Sequence, residues 1–277
     1  MRAVVTGAAG FIGSHLVDYL LEQGHEVIGF DALLPGRSDR SRIEGTEFYQ
    51  VDIRDSRMRS GRLVSEVDYV FHTAAVSTTP WAVADPITCN DINVTGTLNL
   101  LEGARAARVK RFVFSSSNIV YAAPTAYKVS KLAAEGYCET YSHLYGLSTI
   151  ALRYSNVFGS LRQNPENAIM SMRASARDNG YIWLTGDGEQ TRDFTNVADI
   201  CRANLLAAES DLTGSVDICT GFNHTMNEVA TFFGCPIEYR PDREGDIRHI
   251  RQHPGMARDL LNFEAQVPFE EGMRAYL

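Results

Sequence analysis

The 277-residue chain is 44% hydrophobic, enough to bury a full core, and its length suits one large domain or a large and a small one. With 26 basic and 34 acidic side chains its formal charge is −8, which argues against a general affinity for nucleic acid or an anionic membrane surface. No apolar run of about eighteen residues could span a bilayer, and no long apolar segment marks a signal peptide. The five scattered cysteines lack a C-x-x-C, so a cytoplasmic protein with reduced thiols is predicted.

In chain order, short apolar runs alternate with helix-length amphipathic segments. Strands are predicted near 3–5, 26–30, 47–51, 69–71, 111–114 and 148–152, and helices near 11–23, 88–107 and 127–145. Continuous apolar runs of this length suit strands buried on both faces of a parallel sheet. Their alternation with helices implies right-handed crossovers and a doubly wound α/β sheet of the Rossmann kind. Beyond residue 155 the pattern loosens into polar connections such as QNPEN, TGDGEQT and YRPDREGD. The expected division is a Rossmann domain over 1–155 and a smaller substrate-binding region over 156–277, with 193–220 returning to the sheet. His249 and His253 stand four apart without a third ligand nearby, so they are read as surface residues and no metal site is predicted.

The first strand runs into VVTGAAGFIGSHL, where Gly7, Gly10 and Gly13 form G-x-x-G-x-x-G. Such glycines permit a tight turn, close approach of a pyrophosphate and close helix–strand packing, with the helix N-terminus facing the phosphates. Asp31 ends the second strand, where this fold places an acid on the adenine ribose. A carboxylate there accepts hydrogen bonds from the ribose hydroxyls and repels a 2′-phosphate, so NAD is favoured over NADP. Arg37 could offset a 2′-phosphate but is read as a loop arginine. A glycine-rich turn without ligand is the plainer alternative.

Residues 115–131 read SSSNIVYAAPTAYKVSK, and Tyr127 and Lys131 fall on one face of the predicted helix. Of twelve tyrosines only Tyr127 has a lysine four residues on. A free phenol titrates near ~10, so a base working near neutrality needs a shift of about three units, or ~4 kcal/mol. A cation at Lys131 and a positive nicotinamide ring would both favour the phenolate. Ser117 follows the fifth strand at its carboxyl end, where ligands bind in such sheets. The alternative is a solvated helix start after a loop.

With the glycine turn and the Tyr127/Lys131 pair in place, the chain resembles the extended short-chain dehydrogenase/reductases, in particular NAD-dependent nucleotide-sugar epimerases and dehydratases. The resemblance runs through TGAAGFIG, VDIRD, HTAA, NVTGT, FVFSSS, YKVSK, LRYSNVFG, GDGEQTRDFTNVAD and REGDIRH in order. It implies that Tyr127 is the base, Lys131 its tuner and ribose anchor, and Ser117 the group that aligns the sugar hydroxyl. It also implies cofactor contacts from Phe11, Ile12, Asp52, Ile53, Ala74, Ala75, Asn93, Ser115 and Tyr154. Local sequence equally allows Asp52 as a helix cap and Asn93 as a structural hydrogen-bonding residue. For a nucleoside diphosphate the resemblance assigns Asn156, Arg192 and Arg243 to the diphosphate and Asp246 to the ribose. The plainer alternatives are surface pairs of Arg192 with Asp193 and of Arg243 with Glu244. Ile250 falls where these epimerases sort sugars by size, and isoleucine decides nothing there.

Dehydratases of this family carry Asp-Glu directly after the catalytic serine or threonine, and the decarboxylases keep the Glu. Here those positions are Asn118 and Ile119, which cannot perform that proton chemistry. The implied reaction is 4-epimerisation of a nucleotide sugar, with UDP the closest match. A reductase or dehydrogenase using the same triad is the nearest rival, and a non-catalytic dinucleotide sensor is the rival of a different class. The family's loop of about twenty residues before the catalytic tyrosine is here only residues 122–126, which implies a more open sugar site. By the same resemblance the helices at 88–107 and 127–145 would pair in a homodimer.

Overall fold

The computed structural model describes residues 1–241 and 248–277. The apolar runs form β1 (Arg2–Thr6), β2 (Glu26–Asp31), β3 (Glu47–Gln50), β4 (Tyr69–His72), β5 (Arg111–Ser117) and β6 (Thr149–Tyr154). Beyond them come β7 (Asn156–Phe158), β8 (Ile182–Thr185), β9 (Thr191–Asn196) and β10 (Gly214–Ile218). Within the described residues, β10-β6-β5-β4-β1-β2-β3 make one seven-stranded parallel sheet. β1 pairs with β2 on one side and β4 on the other, so the chain reverses direction of travel there and opens a crevice at the carboxyl ends of the strands.

Helices cover both faces of this sheet. They begin with α1 (Phe11–Glu22), α2 (Thr79–Ala84), α3 (Pro86–Asn90), α4 (Thr97–Ala107) and α5 (Ala126–Tyr145), followed by α6 (Ala168–Asn179) and α7 (Val197–Glu209). One core packs Phe30, Phe112 and Phe114 against α4 and α5, and the other packs Phe71, Val113 and Leu152 against α1 and α7. The single helix expected at 88–107 is instead α3, a π-helical turn at Asp91–Gly96, and α4. The wider turn brings Gly96 against Ile53, where a Cβ would lie 2.6 Å from the isoleucine side chain. It also aims Asn93 at the loop after β4.

β5 runs three residues further than apolarity alone predicts. Ser115, Ser116 and Ser117 stay in register with Leu152, Arg153 and Tyr154 of β6, so the sheet carries these hydroxyls to the rim of the crevice. The rest of the chain adds β11 (Asn223–Thr225), β12 (Ile237–Arg240), α8 (Met226–Thr231), α9 (Gly255–Leu261) and α10 (Phe269–Met273). β7, β9 and β11 form a small sheet, and β8 pairs with β12 in another. A third core lies beneath them, where Phe158, Phe194 and Phe269 pack edge-on or tilted at centroid distances of 5.2 to 5.9 Å beside Met172 and Met226. This lobe stands over the carboxyl edge of the large sheet. His249 and His253 are exposed, as expected of surface residues.

Candidate active site

A cleft of about 1070 Å³ runs between the large sheet and the C-terminal lobe. Its floor is the turn after β1. Gly7 has φ +67°, and the Gly10 N–H donates to the Gly7 carbonyl at 2.9 Å. A Cβ on Gly7 would lie 2.8 Å from the Ala74 backbone, and one on Gly13 would lie 2.1 Å from the Gly7 oxygen. Backbone therefore meets backbone here, with no room for a side chain. α1 starts at Phe11 with no side-chain cap on Gly10, leaving its first N–H groups directed at the cleft. Asp31 lines the same wall, buried, and accepts from the N–H groups of Ala9 at 3.1 Å and Leu33 at 2.7 Å.

Asp52 and Ile53 line the far side of this end, with Asp52 held in a bidentate pair by Arg54, which pulls its carboxyl below the usual range. It also accepts from the Arg54 N–H at 2.9 Å, a local turn rather than a helix cap. Arg37 is committed elsewhere: both ends of its fork reach Glu166 at 3.1 Å, and it lies 4.6 Å over the Trp81 ring. Phe11, Ile12, Ala74, Ala75, Ser115 and Tyr154 all line the cleft. Asn93 does not. Its side chain accepts from the Val76 N–H at 2.8 Å and donates to the Val76 carbonyl and Ser130, so it anchors the loop after β4 to α5. This is the structural hydrogen-bonding role that the sequence also allows for Asn93, which braces the wall from behind.

At the middle of the cleft, the end of β5 faces the first turns of α5. Thr125 caps α5 by accepting from the Lys128 N–H at 3.1 Å, which starts the helix one residue before Tyr127. Tyr127 and Lys131 are buried on the same face. Burial pushes the Tyr127 phenol up to about 12, opposed by a hydrogen bond with Ser117. Burial pulls Lys131 down to about 8, opposed first by Glu135. The Lys131 ammonium donates to the Ser115 carbonyl at 2.7 Å and lies 6.0 Å from the centre of the Tyr127 ring. Asn118 and Ile119 follow Ser117 in the lining, and Ile119 N–H donates to the Ser117 hydroxyl at 3.2 Å. Residues 120–126 do not line the cleft; Tyr121 turns away to Arg153 and Asp217, at 2.8 Å from each.

The lobe closes the other end. Asn156 and Arg192 reach the cleft from β7 and β9, and Ile250 and Trp183 join them. Arg192 does not pair with its neighbour Asp193, because successive residues of a strand face opposite ways. Asp193 is buried and accepts from the N–H groups of Thr220 and Gly221. Arg243 and Asp246 lie outside the described residues.

Residues 3–219 match the sequence pattern of the NAD dependent epimerase/dehydratase family. The chain belongs to that family. A UDP-glucose 4-epimerase of Mycolicibacterium smegmatis is 34% identical over 302 residues, covering 99% of this chain and 96% of that protein. Among solved structures, a UDP-glucose 4-epimerase of Thermotoga maritima with UDP-glucose superposes with TM-score 0.92 at 32% identity, over 100% of this chain and 97% of that one. A dTDP-glucose 4,6-dehydratase of Streptomyces venezuelae, solved with NAD, superposes with TM-score 0.92 at 28% identity, over 100% and 96%.

The residues present fit the cofactor of the epimerase/dehydratase family. The glycine cradle admits backbone-close phosphates, the α1 terminus faces them, and an acid stands where a ribose would lie. One strap of this site was not legible in the sequence. Residues 159–167 cross from β7, where Arg162 pairs with Asp18 of α1 at 2.7 Å and Glu166 takes Arg37 and the Thr78 hydroxyl. Buried Tyr276 pins the strap by accepting from the Gly159 N–H at 2.8 Å and donating to Gln163 at 2.6 Å. The segment shows only as a polar connection because every partner is distant in sequence.

Proposed function

We propose that the chain is an NAD-dependent 4-epimerase of a UDP-hexose. The observation that carries this is the Ser117, Tyr127, Lys131 set at the centre of the cleft, with Asn118 and Ile119 as the next wall residues. In this reading Ser117 orients the C4 hydroxyl and Tyr127 takes its proton. Lys131 holds the nicotinamide ribose and favours the phenolate. Bound NAD supplies the hydride acceptor and a positive ring. The ketosugar then turns over and receives the hydride on its other face, so no cofactor is consumed. Asn118 offers an amide and Ile119 a hydrocarbon, so neither supplies the acid that loss of water or carbon dioxide needs. The choice of UDP rests on the names of the relatives and on Arg192, whose fork suits a diphosphate.

The phenol at about 12 in the protein alone means that the reactive state needs a fall of about five units, or ~7 kcal/mol. Cofactor binding and proton transfer are therefore coupled in this proposal. The 1–155 and 156–277 regions take the cofactor and the sugar nucleotide respectively. A homodimer through the helical segments at 88–107 and 127–145 is part of the same reading, supported by the exposed apolar residues Ile87, beside the first, and Val129, Leu132 and Leu144 of the second.

NMR of a UDP-sugar panel with purified protein tests the reaction. Interconversion of C4 epimers without net change in NAD supports it, and Tyr127→Phe should lower kcat by roughly 100-fold or more while retaining NAD. A 4-keto-6-deoxy product, or stoichiometric use of NADH, would overturn it.

A further inference from the structure

The end of β5 is joined to α5 by two rungs. The Ser115 carbonyl accepts from Lys131 at 2.7 Å, and the Ser116 hydroxyl donates to Glu135 at 2.5 Å. Tyr127, Lys131 and Glu135 recur every four residues and so form one stripe of the helix. The first two line the cleft; Glu135 does not. Its carboxylate is buried and takes both Nε and Nη2 of Arg153 from β6, at 2.9 and 2.7 Å. Arg153 in turn donates to the Tyr121 hydroxyl, and Tyr121 donates to Asp217. This polar chain has no part in binding or reaction as derived above.

We propose that Glu135 is a positioning residue of the reaction: its carboxylate locks the rim of β5 to α5 and supplies the negative charge that keeps buried Lys131 protonated. This rests on the role given to Lys131 in the proposed function. Among the described residues, the other groups about Lys131 offer no such charge. His72 of β4 is buried between the hydroxyls of Thr6 and Thr97 and is held neutral, its pKa lowered to about 3. Cys138 is a buried thiol pushed up by burial, Cys89 of α3 is a second buried thiol, and Tyr127 is neutral in the protein alone. Phe114 of β5 presents only its ring, 4.8 Å from the ammonium. The cation nearest behind Glu135 is Arg153, which would repel Lys131 if the carboxylate were lost.

The sequence itself makes this testable, because Lys110, Lys128 and Lys131 are its only lysines against 23 arginines. Carbon-13 labelling of the lysine ε positions therefore gives three resonances, and Lys131 can be titrated directly in the whole protein without turnover. Glu135→Gln keeps the shape and removes the charge, leaving Arg153 unopposed. The Lys131 midpoint should fall by about one unit or more. The alkaline limb of kcat should move down by the same amount, with KM nearly unchanged. Arg153→Met breaks the same ion pair but leaves the carboxylate, so the Lys131 midpoint should rise.

Opposite shifts from two variants that break one pair are what charge support requires and what a structural role does not give. A midpoint unmoved in Glu135→Gln, or lowered in both variants, overturns the proposal. If Glu135→Gln does not fold, Arg153→Met alone decides, since a lowered midpoint there contradicts it. Failure of the epimerase reading would show as absent turnover with the NMR shifts intact.

Discussion

At one end of the cleft the wall is backbone, drawn from Gly7–Gly13 and Ala74–Ala75 where β1 and β4 end side by side. At the other it is side chains, with Trp183, Arg192, Met226 and Ile250 arriving from separate parts of the lobe. The first wall is fixed by the sheet and leaves no space for an added methyl group. Met226 of the second belongs to a separate aromatic core, while Ile250 packs with the sheet's own core, so most of this wall can change without moving the β5 strand and α5 helix that carry Ser117, Tyr127 and Lys131. The contrast teaches how one scaffold keeps a common cofactor and chemistry while the substrate end varies.

The backbone wall is most sensitive at Gly13. Gly13→Ala should abolish measurable NAD binding and cost more than about 3 kcal/mol, because the new carbon meets the Gly7 carbonyl rather than a side chain that can move. Calorimetric titration and urea unfolding check this; a variant with normal NAD affinity would show that the turn can yield. Buried His72, which ties Thr6 of β1 to Thr97 of α4 beneath that wall, should show in acid. His72 titrates near 3 when folded against 6.5 when free. Its contribution is complete above pH 6.5, where neither state binds the proton, and is lost as pH falls towards 3. By pH 4 the loss is about 3 kcal/mol. Unfolding at pH 7 and pH 4 should show a smaller pH difference for His72→Gln than for the wild type.

At the substrate end effects should be smaller and separable from stability. Arg192→Ala is expected to weaken UDP binding by roughly tenfold, or ~1.4 kcal/mol, while Tm moves little. Unchanged UDP affinity in a titration would place the diphosphate elsewhere. The smallest effect belongs to the strap that joins the two ends. The Arg37–Glu166 pair is partly exposed, so Glu166→Gln should cost less than about 1 kcal/mol in stability. Its clearer readout is stopped-flow release of NAD, expected to quicken; an unaltered rate would mean the strap does not restrain the cofactor.

The spacing of Gly7, Gly10, Gly13 and Asp31, and that of Tyr127 and Lys131, let the sequence group residues that the structure brings into one cleft, because each set lies within one βα unit or one helix and local geometry brings it together. The apolar runs likewise announced the parallel sheet. For Asn93 the sequence allowed both a cofactor contact and a structural hydrogen bond, and only the π-helical turn shows that its amide meets Val76 and Ser130. Tertiary structure alone joined Arg37 to Glu166, pinned the strap with Tyr276, and stacked Ser116, Glu135 and Arg153 behind Lys131. The alignment of Ser115–Ser117 with α5 was equally hidden, since β5 continues through polar residues by pairing with β6 rather than by apolarity. Periodicity reports which face of a single element is buried; partners more than a hundred residues apart are chosen by how whole layers pack, which leaves no local mark on the chain.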